Sequence, residues 1–368
     1  MPNQYVKRGI TIVELAERLD LSPRAVSQVL NGGSSNSTVR VNPKTRERVE
    51  KLAKETAYRP NLAAQTFRTG KHPGLIGVLC LQGFDPVWAA RSYFTHLNAE
   101  KNGLFLLQYV ARDLSEGQQQ RAVDFFLDSR VEAVVLLVGL SKPQISRILE
   151  QNIPVLTVAA HQPVNVPGYY ADKVNGFKML TRHLIEQGNS SITFIQSSEI
   201  SPWAHGAYAE AGFLRAATDA KKEGRLIKFK IHPMVEIEIE GYMANGYPDM
   251  HGIMVPGYAA MKEIIESGEI PSAVICVTDT LAQGAIAACM EAGIHPPEDI
   301  AIAGFGDEPL SSGGMLPLTT VRQPFSEIYE AAFSDLKQSL DGKGQFPKRK
   351  VHMPCELVVR ASTLKRNP

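Results

Sequence analysis

No apolar run in this 368-residue chain is long enough to cross a bilayer: the longest, residues 133–140, falls far short of the roughly 20 residues a spanning helix needs. No charged-then-apolar leader opens the sequence, so a soluble, cytoplasmic protein with no membrane partner is predicted. Cysteine is scarce. Cys80, Cys276, Cys289 and Cys355 lie far apart without CxxC spacing, and the first two sit in apolar runs, which excludes a disulfide framework and points to buried free thiols. The nine histidines are scattered, and HExxH, GxSxG, P-loop and GxGxxG patterns are all missing. Catalysis, a cofactor and a bound metal are therefore not expected.

What is present is an uneven distribution of charge. Residues 1–71 hold 13 Lys+Arg against 6 Asp+Glu, a net +7, whereas the rest hold 26 against 32, a net −6. A basic head on an acidic body is the pattern of a polyanion-binding module joined to a self-sufficient domain, because phosphate attraction supplies most non-specific DNA affinity. The length likewise calls for two or three compact units.

Within the head, Thr11-Ile12-Val13-Glu14 is a capping-box pattern, and Ile12, Leu15, Ala16 and Leu19 follow at helical spacing. After a break at Asp20-Leu21, Ser22 caps a second helix with Pro23 in its first turn and Ala25, Val26, Val29 and Leu30 inward. This pair is a helix-turn-helix, whose second helix turns Arg24, Ser27 and Gln28 outward for the major groove. A third helix starts from Asn42-Pro43 and closes the small core with Val49, Leu52 and Ala53. Tyr58-Arg59-Pro60-Asn61 opens a linker with a cap at Asn61 and two helical turns ended by Gly70. So short a helix is marginal in water and is expected to order only against DNA.

The ordered series TIVELAERLDLSPRAVSQVLNG, VNPKTRERVEKLAKETAYRPNLAAQTFRTG, LIGVLCL, DPVW, AEAGF, ICVTD, AIAGFGDE, PLTTVRQPF and ELVVRAST resembles the lactose/galactose repressor (LacI/GalR) family over essentially the whole chain. The resemblance implies an all-α helix-turn-helix DNA-binding head (residues 1–59), a hinge (60–73) and an α/β body (74–368). That body would be two-lobed, like periplasmic binding proteins, with parallel doubly wound sheets. It implies operator contacts at Thr11, Ile12, Ser22, Pro23, Arg24, Ser27, Gln28, Asn31, Arg40, Asn42 and Thr45, continuing through Tyr58, Asn61, Ala64 and Phe67. Arg24 and Gln28 are placed to read guanine and adenine edges, while the hydroxyls and Asn42 suit phosphates. Phe67 stands where the family pushes a leucine between base pairs. The chain departs from the family at Gln28, where arginine is common, at Ala25, where threonine is usual, and in residues 32–39, which lengthen the loop after the recognition helix.

In the body, apolar runs at 75–81, 104–109, 133–138, 155–158, 192–195, 273–277 and 300–303 alternate with helical segments, an α/β pattern with parallel sheets. The resemblance places three interlobe passages near 170–172, 304–308 and 323–325. Ligands of such folds bind at the carboxyl ends of strands, which makes Gln82, Phe84, Asp85, Trp88, His161, Trp203, Tyr208, Thr278, Asp279, Phe305 and Asp307 the effector-site candidates. Trp88 reads equally as a ring-stacking surface or as core, and Asp279 and Asp307 as ligand contacts or as loop braces. Ala209, Gly306, Ala159 and Thr278 occupy positions where sugar-binding relatives carry more polar groups. Two readings follow: an effector unlike a simple hexose, or a body that senses none. The implied partners are double-stranded operator DNA, a small-molecule effector and a second copy of the chain as a homodimer, with repression as the family's default. A sequence-indifferent architectural DNA protein is the rival, separated from the regulator by an operator preference of about a thousandfold or more.

Overall fold

The computed structural model describes residues 10–30, 42–59, 74–81, 86–160, 162–197, 205–234, 243–244, 247–248, 250–314, 316–343 and 350–364. The chain divides into two compact units, Met1–Pro73 and Gly74–Pro368.

Three helices make the first unit: α1 (Ile12–Leu19), α2 (Pro23–Leu30) and α3 (Pro43–Glu55). Leu15, Ala16, Leu19, Val26, Val29, Val49 and Ala53 form its core, with Ile10, Leu21, Leu30 and Leu52 packed around it. The caps set where the helices begin. Glu14 N donates to Thr11 Oγ1 while Thr11 N donates to Glu14 Oε2 (2.6 Å), a complete capping box. Ala25 N donates to Ser22 Oγ, and Lys44 N to Asn42 Oδ1 (3.0 Å). Asp20, at φ 55°, turns the chain between α1 and α2.

The second unit contains two parallel sheets. The first runs in the order β13-β5-β4-β3-β1-β2, formed by β1 (Leu75–Leu81), β2 (Phe105–Ala111), β3 (Ala133–Leu136), β4 (Val155–Val158), β5 (Gly168–Ala171) and β13 (Lys350–Met353). Its helices are α4 (Pro86–Lys101), α5 (Glu116–Asp128), α6 (Lys142–Glu150) and α12 (Phe325–Leu340). Cores lie on both faces, one around Leu156, Tyr169, Tyr329 and Phe333, the other around Leu79, Phe126, Leu136 and Ile148. Burial on both faces is why the inner strands β1, β3 and β4 read as continuous apolar runs. The second sheet runs β11-β10-β6-β7, with β6 (Ser191–Ser197), β7 (Lys228–Met234), β10 (Ala273–Cys276) and β11 (Ala301–Ala303). Around it lie α7 (Lys173–Glu186), α8 (His205–Lys222), α9 (Met250–Glu266) and α10 (Asp279–Glu291), over one core that includes Phe177, Phe194, Phe213, Ile275 and Ile302. A short hairpin, β8 (Met243–Ala244) with β9 (Tyr247–Pro248), precedes α9; α11 (Pro309–Gly313) and β12 (Thr320–Arg322), paired antiparallel with β14 (Glu356–Val358), complete the lobe. Helices α9 and α10 touch backbone to backbone, because a Cβ on Gly257 would strike the Leu281 carbonyl and one on Gly284 the Met254 carbonyl.

The chain passes between the lobes three times: from β5 into α7 at Asp172, from β12 into α12 at Gln323 and Pro324, and from β13 into β14 at Pro354 and Cys355. This corrects the third passage expected near 304–308. Those residues stay with the second lobe: Phe305 belongs to its core and Gly306 bridges to Arg322. The true third passage is marked by Cys355, half-buried and packed against the cores of both lobes.

Candidate functional site

In the head, the first turn of α2 leaves Ser22, Pro23 and Arg24 exposed and Gln28 half-buried. Arg24 and Gln28 are four residues apart, so they share a face and are separated by about 6 Å along the helix axis. Ser27 does not join them. Expected outward, it is 2 % exposed, because it lies three residues before Leu30 and shares that residue's inward side. Ile12 and Tyr58, two other expected operator contacts, pack against the head's core. Thr11 and Asn42 are exposed cap residues, and Thr45 is half-buried in the first turn of α3. Around it α3 exposes Lys44, Arg46, Arg48, Lys51 and Lys54 among Glu47, Glu50 and Glu55, a helix surface with a basic excess. Asn31, Arg40, Asn61, Ala64 and Phe67, and the loop at 32–39, lie outside the described residues.

Between the lobes of the second unit is a cavity of about 280 Å³. Its walls are the carboxyl ends of strands from both sheets: Leu81 after β1, Leu137 to Gly139 after β3, Ala159 and Ala160 after β4, Thr278 after β10 and Phe305 after β11. Of the effector-site candidates, Trp88, Thr278 and Phe305 line it. Thr278 also caps α10, its hydroxyl accepting from Leu281 N, and Phe305 lies flat on Phe177 at 4.2 Å between ring centres. The Trp88 ring carries the guanidinium of Arg91, with Cζ 4.7 Å from the ring centre. Arg91 donates in turn from Nη1 to the Leu137 carbonyl (3.1 Å) and from Nη2 to the Ala159 carbonyl (3.2 Å). Half-buried Tyr208 is not among the lining residues; Gln82, Phe84, Asp85, His161 and Trp203 lie outside the described residues.

Asp279 and Asp307 act as braces. Asp279 is fully buried and accepts from Thr320 Oγ1, from Glu308 N (2.8 Å) and from Ser311 Oγ (2.7 Å). Burial raises its pKa, and these three donors oppose the rise. It ties the start of α10 to the turn after β11 and to β12. Asp307, at φ 53°, pairs with Arg322 Nε (2.7 Å) and Arg360 Nη2 (2.6 Å) and borders a separate cavity of about 490 Å³. Replacing Asp279 by asparagine keeps the shape but sets an amide donor against a donor, and is expected to lower stability by about 2 kcal/mol. A denaturant titration of the full chain checks this; an unchanged midpoint would mean that the brace carries no load.

Three polar residues of the cavity were not legible as site residues from sequence: Arg91, Lys173 and Gln323. Lys173 is 6 % exposed and Gln323 7 %. A signal existed for Arg91, which is three residues after Trp88 and so on the same helical face. Lys173 and Gln323 adjoin two interlobe passages, where any side chain is close to the cleft. Among the described residues no group of three or more His, Cys, Asp or Glu could hold a metal, and no helix is long and apolar enough to cross a membrane.

Comparison with known proteins agrees with this architecture. Residues 181–363 match the family model for a periplasmic binding protein-like domain. The chain is 26 % identical over 357 residues to the HTH-type transcriptional repressor CytR of Escherichia coli K12, covering 96 % of both chains. It is 29 % identical over 334 residues to the HTH-type transcriptional regulator GalS of Salmonella typhimurium, covering 88 % of both. Its fold matches a crystal structure of the lac repressor dimer bound to operator and the anti-inducer ONPF, with a TM-score of 0.77 at 21 % identity over 97 % of this chain and 100 % of that one. A capped helix-turn-helix head, a two-lobed parallel α/β body and relatives matched over most of their length together support a helix-turn-helix transcriptional regulator of the LacI/GalR family.

Proposed function

We propose that this protein is a repressor that binds a pseudo-palindromic operator as a homodimer and is modulated by a small molecule held between the lobes of its body. In this reading residues 1–59 read DNA, 60–73 form the hinge and 74–368 bind effector and dimerise. The observation that carries it is the exposed first turn of α2 within an N-terminal segment, residues 1–71, of net charge +7, with Arg24 and Gln28 one turn apart on one face. Arginine pairs with guanine O6 and N7 and glutamine with adenine N6 and N7, so the two side chains address neighbouring base pairs. The basic surface of α3 supplies phosphate contacts that fix the register. Phe67 is the wedge at the operator centre; if Phe67→Ala left operator affinity and DNA bend angle untouched, that role would be lost.

For the homodimer, the first sheet offers its edge strand β2, with Phe105 and Val110 exposed, beside α4, where Tyr93 is 62 % exposed. Two-fold pairing of the body provides two heads for two half-sites. Effector binding and operator binding then couple by about 1–3 kcal/mol, and reciprocally.

The experiment is selection of bound sequences from a random duplex library with the full-length protein at near-physiological salt. Enrichment of one pseudo-palindrome is expected. Salt-sensitive binding with no enrichment would replace the regulator by a sequence-indifferent DNA protein.

A further inference from the structure

We propose that the interlobe cavity takes a small ligand bearing a carboxylate or phosphate group, which Lys173 and Arg91 bind as an anion. This rests on the reading of that cavity as the effector site and names the chemical class it accepts.

Two cations line this cavity, and among the described residues no carboxylate does. The second cavity of the body has the opposite character, with Asp307, Glu308, Glu327 and Glu356 against the lone Arg322. Lys173 is nine-tenths buried, yet its ammonium makes no ion pair or hydrogen bond with any described residue. Arg91 spends Nη1 and Nη2 on two backbone carbonyls, which hold the guanidinium in place without neutralising it; its buried Nε has no partner. Gln323 adds a third orphan, its buried Oε1 lacking a donor. A native interior leaves few such groups, and three around one cavity call for a ligand that completes them.

Position adds to composition. Lys173 is the first residue of α7, the positive end of a 14-residue helix, where a cation is disfavoured and an anion favoured. The capped N-terminus of α10 at Thr278 borders the same space. Arg91, itself stacked on Trp88, lines the same cavity with its guanidinium fixed by the two carbonyls, leaving its remaining Nη hydrogens for carboxylate or phosphate oxygens. At about 280 Å³ the cavity suits a ligand of one sugar ring or smaller plus its anionic group. Recognition by charge also accounts for Ala159, which lines this cavity where sugar-binding relatives place a polar group: the anion supplies orientation that a polar side chain would otherwise provide.

Burial and the neighbouring Arg91 push the Lys173 ammonium down to about 7, with the Cys355 thiol acting weakly the other way. The carboxylate of Asp172, just before it, is occupied in capping α7 through Asn175 N. An anion between Lys173 and Arg91 favours the protonated amine, so binding takes up a proton and weakens as pH rises above about 7, tending towards tenfold per unit.

The test uses the full chain with its lysines carrying ¹³C-methyl groups, the Lys173 signal being the one absent in Lys173→Met. Its pKa is followed by NMR with glucose 6-phosphate, gluconate and glucose as probes, and binding is measured by calorimetry. One or both anions should raise the Lys173 pKa and bind at least tenfold more tightly than glucose. Lys173→Met should remove that difference, and Lys173→Arg should restore it. Which anion prevails separates a phosphate source from a carboxylate one. The proposal is overturned if neither anion moves Lys173 more than glucose does, or if Lys173→Met leaves anion preference intact. Operator affinity measured with the same probes tests the underlying reading separately. An anion that binds at Lys173 without changing operator affinity defeats modulation but not anion recognition, whereas a neutral sugar that shifts operator affinity equally in wild type and Lys173→Met does the reverse.

Discussion

Lys173→Met is expected to make the free protein more stable, by as much as about 4 kcal/mol at neutral pH. The ammonium sits in a nearly dry wall, at the positive end of a helix and facing Arg91, so its protonated form is penalised three times over. Its folded pKa of about 7 lies below the 10.5 of an unperturbed lysine. Between those two values the unfolded chain holds the proton and the folded chain does not, so raising pH through this window favours folding. Below pH 7 both states are protonated and the penalty is present in full; above about 10.5 neither is, and the penalty is gone. Methionine has nearly the same length and no charge, so the variant lacks this slope. Denaturant titrations of the full chain at several pH values should show a gap between variant and wild type that is widest at and below pH 7 and closes towards pH 10.5. Other titrating groups contribute equally to both proteins and cancel. A variant no more stable than wild type at pH 7 would mean that the ammonium is already compensated, and the cavity would lose its positive character. A saturating anion should narrow the gap from the other side, because a ligand at a hundred times its dissociation constant stabilises the wild type alone by about 2.7 kcal/mol. A residue that lowers stability until its ligand arrives is typical of a binding site and unusual in a scaffold.

The sequence was most informative where one local rule decides the structure. Thr11, Ser22 and Asn42 sit at the caps their chemistry predicts, and 75–81 and 155–158 coincide with β1 and β4 because double-sided burial leaves an uninterrupted apolar run. Legibility fell where several rules compete. Ser27 reads as outward by its polarity, yet helical phase puts it beside Leu30, and its small side chain fits there. Strands β5, β7, β8, β9, β12, β13 and β14 went unread: all but β7 are four residues or shorter, and most, β7 among them, mix polar and apolar residues. The third passage was displaced for the same reason, since nothing local at Pro354-Cys355 announces a return to the second lobe. The cavity shows the same division. Trp88, Thr278 and Phe305 follow from the rule that ligands bind beyond strand ends. Lys173 and Arg91 do not, because an unpaired buried charge is a property of the surroundings, and a lysine in a row of letters looks like any solvated lysine.

At the other end of the chain, Gln28→Arg is expected to change which operator is bound rather than how firmly DNA is held. Gln28 is half-buried one turn beyond the exposed Arg24, on the face opposite the core built by Val26 and Val29. Glutamine offers one donor and one acceptor, the complement of adenine's major-groove edge, whereas arginine offers only donors and matches guanine. The base pair facing position 28 should therefore switch from A·T to G·C, with each protein discriminating against the other's site by about 1–3 kcal/mol. Arg24→Ala should weaken the selected operator by about 5- to 150-fold and relax preference at the neighbouring pair. Neither change should greatly alter affinity for random duplex, because that term belongs to phosphate contacts such as those offered by Lys44, Arg46 and Lys51 on α3. Substituting those basic residues gives the converse pattern: weaker binding to every duplex alike and a shallower salt dependence, with the preferred sequence unchanged. Competition binding of wild type and variants to the selected operator, its single-pair variants and random duplex at two salt concentrations distinguishes the two classes. If Gln28→Arg and Arg24→Ala shifted all duplexes equally, α2 would not be the helix that reads sequence.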